Sequence, residues 1–351
     1  MARFEKAKRE VGRQVANSFA RETNMQRPVG NEEVELRQVR DLRVNVVVVN
    51  YHTADLVIAS LARLEGKVHR VVIVDNSVSA AEFEKLQAGA ADFAFATLLQ
   101  MQANRGFGSG VNAGVDYIVS EDGTSNQALW ILNPDASDES GHTVDSLCET
   151  LQQYPGAIVS PVILLPDRDT LWYAGGKIVP ESGKYSHDYY LKSQAQLTAD
   201  RPFRTEYMCG ASIFCMAEVW QRLGGLREDL FMYCEDLELS MRAKALGIPL
   251  MIDPRAEVIH QVGASSQKQG SDGLSRLFYY YSARNRILVF LRPTEYGPRS
   301  EVRKIRFAMH TVQMALRPLW HESGVAKWTK SKDVVKGSLG GLILLRKVQS
   351  E

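Results

Sequence analysis

The sequence predicts an α/β fold: a Rossmann-like, doubly wound, mostly parallel sheet with a smaller mixed sheet, followed by a helical C-terminal extension. Three observations carry this expectation. Short β-branched runs alternate with stretches of helical spacing, the pattern of strands covered on both faces by crossover helices. Polar residues collect where those runs stop, as they do where an open sheet presents its strand ends to a ligand. Charge is also divided unevenly: residues 293–351 hold eleven Lys and Arg against five Asp and Glu, residues 1–43 hold ten against seven, and the span between them is −8.

The elements follow in order. Residues 1–43 are too polar to build a core and read as an N-terminal arm. At Val44 the composition changes to VNVVVV, a buried strand, and Ala54 to Leu64 has helical periodicity. A second strand over Val71 to Val74 ends in Asp75, Asn76 and Ser77. A helix over Ala80 to Ala88, a strand over Phe95 to Met101, a glycine-rich loop, a helix over Asn112 to Ser120 and a strand over Ala128 to Leu132 complete a β-α-β-α series. After Ser160 the alternation loosens, with short strands near Trp172 to Gly176 and Ala211 to Met216 and a helix over Asp236 to Leu246. These bounds divide the chain into the arm (1–43), a central domain (44–292, in two halves, 44–135 and 136–292) and a basic helical extension (293–351).

Composition excludes several classes. With 45% hydrophobic residues the 351-residue chain can bury a large core, and a net charge of +1 is not the basic field of a nucleic-acid binder. Cys148, Cys209, Cys215 and Cys234 form no CxxC pair, which argues against a zinc site or a disulfide framework and for a reducing compartment. The first thirty residues lack the apolar core of a signal peptide, and no apolar run approaches the ~20 residues of a membrane span. The expected location is the cytoplasm.

Four constellations can carry chemistry. Asn133-Pro134-Asp135 ends a buried strand, where Asp135 can bind a hard divalent cation; an ordinary turn is the plainer reading. Phe231-Met232-Tyr233-Cys234-Glu235-Asp236 carries two acids on an apolar lead-in, suited to a general base, although a charged helix start would look similar. His260 ends another apolar segment and is either a metal ligand or a hydrogen-bonded core residue. Asn104 to Gly114 is glycine-rich, and Gly108 to Ala113 fits the G-x-G-x-x-A form, which keeps a nicotinamide-dependent oxidoreductase in view. Its place after the third strand favours another kind of nucleotide site.

Taken together, VNVVVVNYHTADL, VVIVDNSVS, NRGFGSGVNAG, WILNPDAS, CGASIFCM, LGGLREDLFMYCEDLELSMRAKALG and VIHQVGASS, in this order from Val44 to Leu291, resemble the family 2 glycosyltransferases of GT-A fold and their rhamnosyltransferase-like branch. The resemblance implies transfer of a sugar, L-rhamnose from dTDP-rhamnose or another residue from a UDP-sugar, to a hydroxyl of a glycan or lipid-linked acceptor, with inversion. It places the nucleoside on Asn50, Tyr51, Asp75 and Asn76, with Asn104, Gly106 and Asn112 shaping its pocket. Asn133-Pro134-Asp135 matches the D-x-D element, with Asn133 in the nucleotide site and Asp135 on Mg²⁺ or Mn²⁺. His260 matches a metal-binding histidine, Asp236 the catalytic base, and Glu235 an acceptor-binding or orienting acid. Asn133 stands where the strict element has a carboxylate, so the chain offers the ion one charge fewer. A non-catalytic sugar-nucleotide-binding protein is the remaining alternative. In the extension, Arg303 to Leu319 and Val325 to Lys347 mix Lys and Arg with Trp and aliphatic residues, a composition suited to an anionic membrane surface, a solvated helix pair or a dimer interface.

Overall fold

The computed structural model of the chain describes residues 42–180, 182–261, 275–291, 301–321 and 326–350. The arm expected over residues 1–43 lies outside them except for Leu42 and Arg43. The first half runs β1 (Arg43–Asn50), α1 (Ala54–Leu64), β2 (Arg70–Asp75), α2 (Ala80–Ala90), β3 (Ala96–Gln100), α3 (Phe107–Asp122) and β4 (Gln127–Leu132). The second runs β5 (Ala136–Ser137), α4 (Thr143–Gln153), β6 (Ile158–Leu164), β7 (Leu171–Tyr173), β8 (Gly176–Val179), β9 (Lys184–His187), β10 (Phe203–Arg204), β11 (Ser212–Met216), α5 (Ala217–Leu223), α6 (Glu235–Ala245) and β12 (Leu250–His260). Three helices follow: α7 (Arg276–Phe290), α8 (Glu301–His321) and α9 (Ala326–Ser350).

The main sheet has the strand order β10-β12-β6-β11-β4-β1-β2-β3, with β5 added to β12 and β7 to β6. β3, β2, β1 and β4 are mutually parallel, as are β6 and β12, while β11 runs antiparallel to both β4 and β6. The smaller sheet is the β8–β9 hairpin, and the other strands after Ser160 extend the main sheet. The physical reason is β11. It pairs with β4 through Ser212–Met216 on one edge and with β6 through Phe214 and Cys215 on the other, joining the two halves by backbone hydrogen bonds.

Strand β1 shows why the sheet is buried on both sides. Val44, Val46 and Val48 enter a cluster with Val57, Leu61 and Leu86 of α1 and α2, whereas Val47 and Val49 enter a second cluster with Val111, Val115 and Ile118 of α3. The period-2 alternation thus supplies apolar side chains to helices on both faces. Helix α3 begins at Phe107, ahead of the expected Asn112, and contains the whole Gly108 to Ala113 motif. Its glycines serve packing: a Cβ at Gly110 would stand 2.8 Å from Val49 Cγ1, and one at Gly114 2.6 Å from Val47 Cγ1. These six residues are therefore not a phosphate-binding turn, and the structural basis for the oxidoreductase alternative falls away.

In the extension, α9 lies along α7 with Gly337 and Gly341 turned to the backbone carbonyls of Tyr280 and Arg284, so the two helices approach closely. An Arg276–Asp333 ion pair, 2.7 Å, ties the start of α7 to α9. Phe307 of α8 is buried against Phe290 of α7. No helix among the described residues is long and apolar enough to cross a membrane.

Candidate active site

The parallel strands β1, β2, β4, β6 and β12 end at one edge of the sheet, so their terminal residues share it. At the end of β1, Asn50 is fully buried and committed within the fold. Its Nδ2 donates to Asp75 Oδ1 (2.9 Å) and Ser77 Oγ (3.1 Å), and its Oδ1 accepts from the Thr53 backbone (3.0 Å) and hydroxyl (2.9 Å). This makes Asn50 the holder of Asp75 rather than a free contact for a ligand. Asp75 Oδ2 and Asn76 Oδ1 are buried acceptors without a protein partner. An unpaired buried acceptor is costly, so both atoms call for a donor from outside the chain. Tyr51, which follows Asn50, is 45% exposed.

Asn76 Nδ2 donates to Asn104 Oδ1 (3.0 Å) and to the Gly106 carbonyl (3.0 Å), and Asn104 Oδ1 also accepts from the Gly106 N–H (3.0 Å). Gly106 has φ +93° and faces the Phe231 carbonyl, which accepts the Phe107 N–H at 2.7 Å. The Asn104–Gly106 loop is thereby bound to the segment leading into Glu235 and Asp236. Asn112 points to that segment as well: its amide exchanges hydrogen bonds with the Leu226 backbone at 2.8 and 2.9 Å and reaches Glu228 at 3.2 Å. It braces residues 225–228 instead of standing free for a ligand.

The Asn133-Pro134-Asp135 turn follows β4. The Asn133 N–H donates to the Ala211 carbonyl at 3.0 Å, which fixes the turn against the start of β11. Across the β5–β12 pairing, Ala136 is opposite His260, and this places the neighbouring Asp135 Oδ1 3.1 Å from His260 Nε2. Both side chains are more than 90% buried. His260 Nδ1 is buried without a partner, and Trp172 packs edge-on to the ring at 6.3 Å. One carboxylate and one imidazole fit a divalent cation that completes its shell with water and phosphate oxygens. Among the described residues no group of three or more His, Cys, Asp and Glu side chains is arranged for a metal.

Glu235 and Asp236 open α6. The preceding turn is strained: Phe231, Tyr233 and Cys234 have φ of +65°, +66° and +67°. Asn285 of α7 holds it, donating to the carbonyls of Leu230, Met232 and Tyr233 at 2.7–2.8 Å. Asp236 Oδ2 accepts from the Tyr207 hydroxyl (2.6 Å) and the Gly210 N–H (3.2 Å), and Oδ1 from the Leu237 N–H (2.7 Å). Gly210 directly precedes Ala211, the partner of Asn133, so Asp236 is linked to the Asn-Pro-Asp turn through two adjacent backbone units. Glu235 Oε2 is buried without a partner, and burial together with the Asp236 charge pushes its carboxyl up to about 8. At neutral pH Glu235 is then protonated and can donate a hydrogen bond.

A chain of rings connects the two acidic groups. Tyr207, on Asp236, stacks on His187 with centroids 5.6 Å apart and planes 22° apart; His187 meets Trp172 edge-on at 5.6 Å, and Trp172 meets His260. His187 Nδ1 lies 2.9 Å from the Trp172 carbonyl, which can only accept. Nδ1 therefore carries the proton and Nε2 is left as an acceptor. Burial pushes His187 below its usual range, and burial with the Asp236 charge pushes Tyr207 well above its own, so both rings remain neutral near pH 7. Sequence reasoning did not single out Tyr207, His187 or Tyr190 (5.2 Å from Trp172). For His187 and Tyr190 the only signal was aromatic density in LWYAGG and YSHDYY, which core packing produces equally well; Tyr207, in FRTEYMCG, lies outside both segments.

No family model matches the chain. It is 25% identical over 243 residues, 64% of its length and 76% of the relative's, to N-acetylglucosaminyl-diphospho-decaprenol L-rhamnosyltransferase of Mycobacterium tuberculosis. It is also 25% identical over 227 residues to the low-salt glycan biosynthesis hexosyltransferase Agl10 of Haloferax volcanii, covering 62% of this chain and 66% of that one. Its fold is similar to the crystal structure of GalNAc-T7 with UDP, GalNAc and Mn2+, with TM-score 0.54 at 16% identity over 80% of this chain; the chain spans 58% of that structure's length.

Proposed function

Taking the chain as a family 2-like glycosyltransferase of GT-A fold, an activity its relatives support, we propose that it is a metal-dependent, inverting enzyme. The transferred sugar is L-rhamnose from dTDP-rhamnose, or another residue from a UDP-sugar, and the acceptor is a hydroxyl of a cell-surface polysaccharide or lipid-linked glycan. The observation that carries this reading is the sharing of one sheet edge by the Asp135–His260 pair and the Glu235–Asp236 pair, joined by Asn133–Ala211 and Gly210–Asp236 on one side and the Tyr207–His187–Trp172 rings on the other. Residues 44–135 form the donor half and residues 136–292 the acceptor half. The two relatives' names favour rhamnosyl or hexosyl transfer.

On the donor side, Asp75 Oδ2 and Asn76 Oδ1 accept from the base. The imide N–H common to uracil and thymine matches them, and the Asn76–Asn104–Gly106 bonds fix the loop beside it. Asp135 and His260 would hold Mg²⁺ or Mn²⁺, which would stabilise the charge of the departing diphosphate as a Lewis acid. Asn133, on the same turn, faces the nucleotide. On the acceptor side, Asp236 takes the proton of the attacking hydroxyl, with Tyr207 and the Gly210 N–H fixing its carboxylate. Protonated Glu235 donates to the acceptor, and an inverting displacement requires only one base on the face away from the leaving group. Trp172, His187 and Tyr190 offer aromatic surface and a ring nitrogen to a pyranose. The enzyme works in the cytoplasm, peripheral to the inner face of the cell membrane where lipid-linked acceptors reside.

Thermal unfolding with dTDP, UDP and NAD, each with and without Mn²⁺, tests the donor side. A ligand at 100 times its Kd adds about 2.7 kcal/mol to the native state. A shift with a pyrimidine nucleoside diphosphate that grows with Mn²⁺, and none with NAD, is expected. No shift with either diphosphate refutes the proposal. Turnover of a nucleotide sugar separates a catalyst from a binding protein.

A further inference from the structure

Helices α8 and α9 each hide one face and leave an apolar stripe on the other. On α8, Ile305, Met309, Val312 and Leu316 recur at spacings of four, three and four residues and are 59, 60, 58 and 38% exposed. This is one continuous stripe, since three or four residues return a helix to the same face. It lies opposite Phe307, which is buried against α7. On α9 the buried residues Val334, Gly337, Gly341 and Leu345 face inward, whereas Trp328, Val335, Leu339, Leu342 and Ile343 are exposed by 41–59%. Ser331 Oγ donates to the Ala315 carbonyl at 2.6 Å and ties the two helices together.

Among the described side chains, the exposed charge beside these stripes is of one sign. By sequence α8 carries +3 and α9 +5. Exposed Arg306 and Arg317 flank the α8 stripe, and exposed Lys332, Lys336 and Arg346 lie along that of α9. The principal acid of α9, Asp333, is buried and paired with Arg276, so it does not offset them. A second copy of the chain apposed through this face would set two helix pairs, each of +8 by sequence, against one another. An anionic bilayer accepts both features at once, the apolar side chains entering the acyl boundary and the Lys and Arg meeting the headgroups. Trp328, with Lys327 at 5.9 Å from its ring, is suited to the headgroup level.

We infer that the α8–α9 pair is a docking surface for an anionic lipid bilayer, with the two helices lying in its plane. The inference gives the peripheral location a defined surface, yet rests on the helices alone and not on the sugar-transfer reading.

Flotation of the full chain with vesicles tests it. The protein is expected to float with phosphatidylcholine vesicles containing 30% phosphatidylglycerol, at least tenfold less with pure phosphatidylcholine, and progressively less as salt rises. Met309→Glu with Leu339→Glu, on exposed positions and checked for an unchanged melting temperature, reduces flotation tenfold or more; Lys332→Glu with Lys336→Glu reduces it on the anionic vesicles alone. Absence of flotation by the wild-type chain, or equal flotation of the Met309/Leu339 variant, overturns the inference. A wild-type dimer that this variant dissociates, seen by light scattering without flotation, assigns the face to a second copy and also overturns it. Nucleotide-diphosphate binding, measured in parallel, is unchanged in every variant, so failure here is distinct from failure of the enzymatic reading.

Discussion

Replacing Glu235 by Gln should stabilise the protein at alkaline pH and hardly affect it at acid pH. The carboxyl is buried next to Asp236 and raised from its ordinary 4.5 to about 8. Between those values the folded chain keeps a proton that the unfolded chain releases, so stability falls as pH rises through that window. Below it both states are protonated and the residue contributes nothing. At about 1.36 kcal/mol for each tenfold change in proton affinity, the penalty at pH 8 has a ceiling of about 5 kcal/mol. Glutamine keeps the shape and loses the titration, but its amide also needs partners at a position where Oε2 has none. The expected gain at pH 8 is therefore about 2–4 kcal/mol, against less than about 1 kcal/mol at pH 5. Urea unfolding of both proteins at the two pH values isolates the effect of the Glu235–Asp236 pair, because the carboxylates outside that pair contribute alike to each. An equal pH dependence in the two proteins, or a variant less stable than wild type at pH 8, refutes the reasoning.

The site makes four further predictions. Asp236→Asn removes the base but can keep its hydrogen bond from Tyr207, so transfer should fall by at least about 10³-fold while calorimetry finds donor affinity within about threefold; substantial turnover excludes Asp236 as the base. Asp135→Ala and His260→Ala should each raise the Mn²⁺ concentration at half-maximal rate by about tenfold or more, as loss of a ligand does, and an unchanged metal titration removes that residue from the metal site. Gly106→Ala forces φ +93° on an alanine and drives its Cβ into the Phe231 carbonyl; the expected loss is about 2–4 kcal/mol in urea unfolding together with weaker nucleotide binding. Asn285→Ala leaves three carbonyls of the strained turn without their shared donor; a cost of about 2–3 kcal/mol is expected, with a fall in kcat that exceeds any rise in donor KM.

The first half of the fold was legible because its signals are local. Val44 to Val49 and Val71 to Val74 have the uniform β-branched character of strands covered on both faces, and β1 and β2 lie where they were expected, extended by a residue or two. Misread boundaries had tertiary causes. Helix α3 starts five residues before Asn112 because Gly108 and Gly110, which read locally as loop, let the helix press on Leu226 and Val49. The strands after Ser160 read as a separate sheet because strand order is set by pairing between distant segments, and nothing in SIFCM announces that β11 joins β4 to β6.

Among the candidate site residues, the sequence by itself determined chemical types and local position: Asp75, Asn76, Asp135 and His260 at strand ends and Asp236 at a helix start could be picked out as acids, an amide and an imidazole following apolar runs. What each one touches was decided only by the tertiary structure. Asn50 became the holder of Asp75, Asn112 the brace of Leu226, Asp135 the partner of His260, 125 residues away, through the β5–β12 pairing, and Tyr207 the hydrogen-bond donor to Asp236. Hydropathy and spacing act over one turn of helix or one strand, whereas a hydrogen bond between remote side chains exists only once backbone pairing has brought them to about 3 Å.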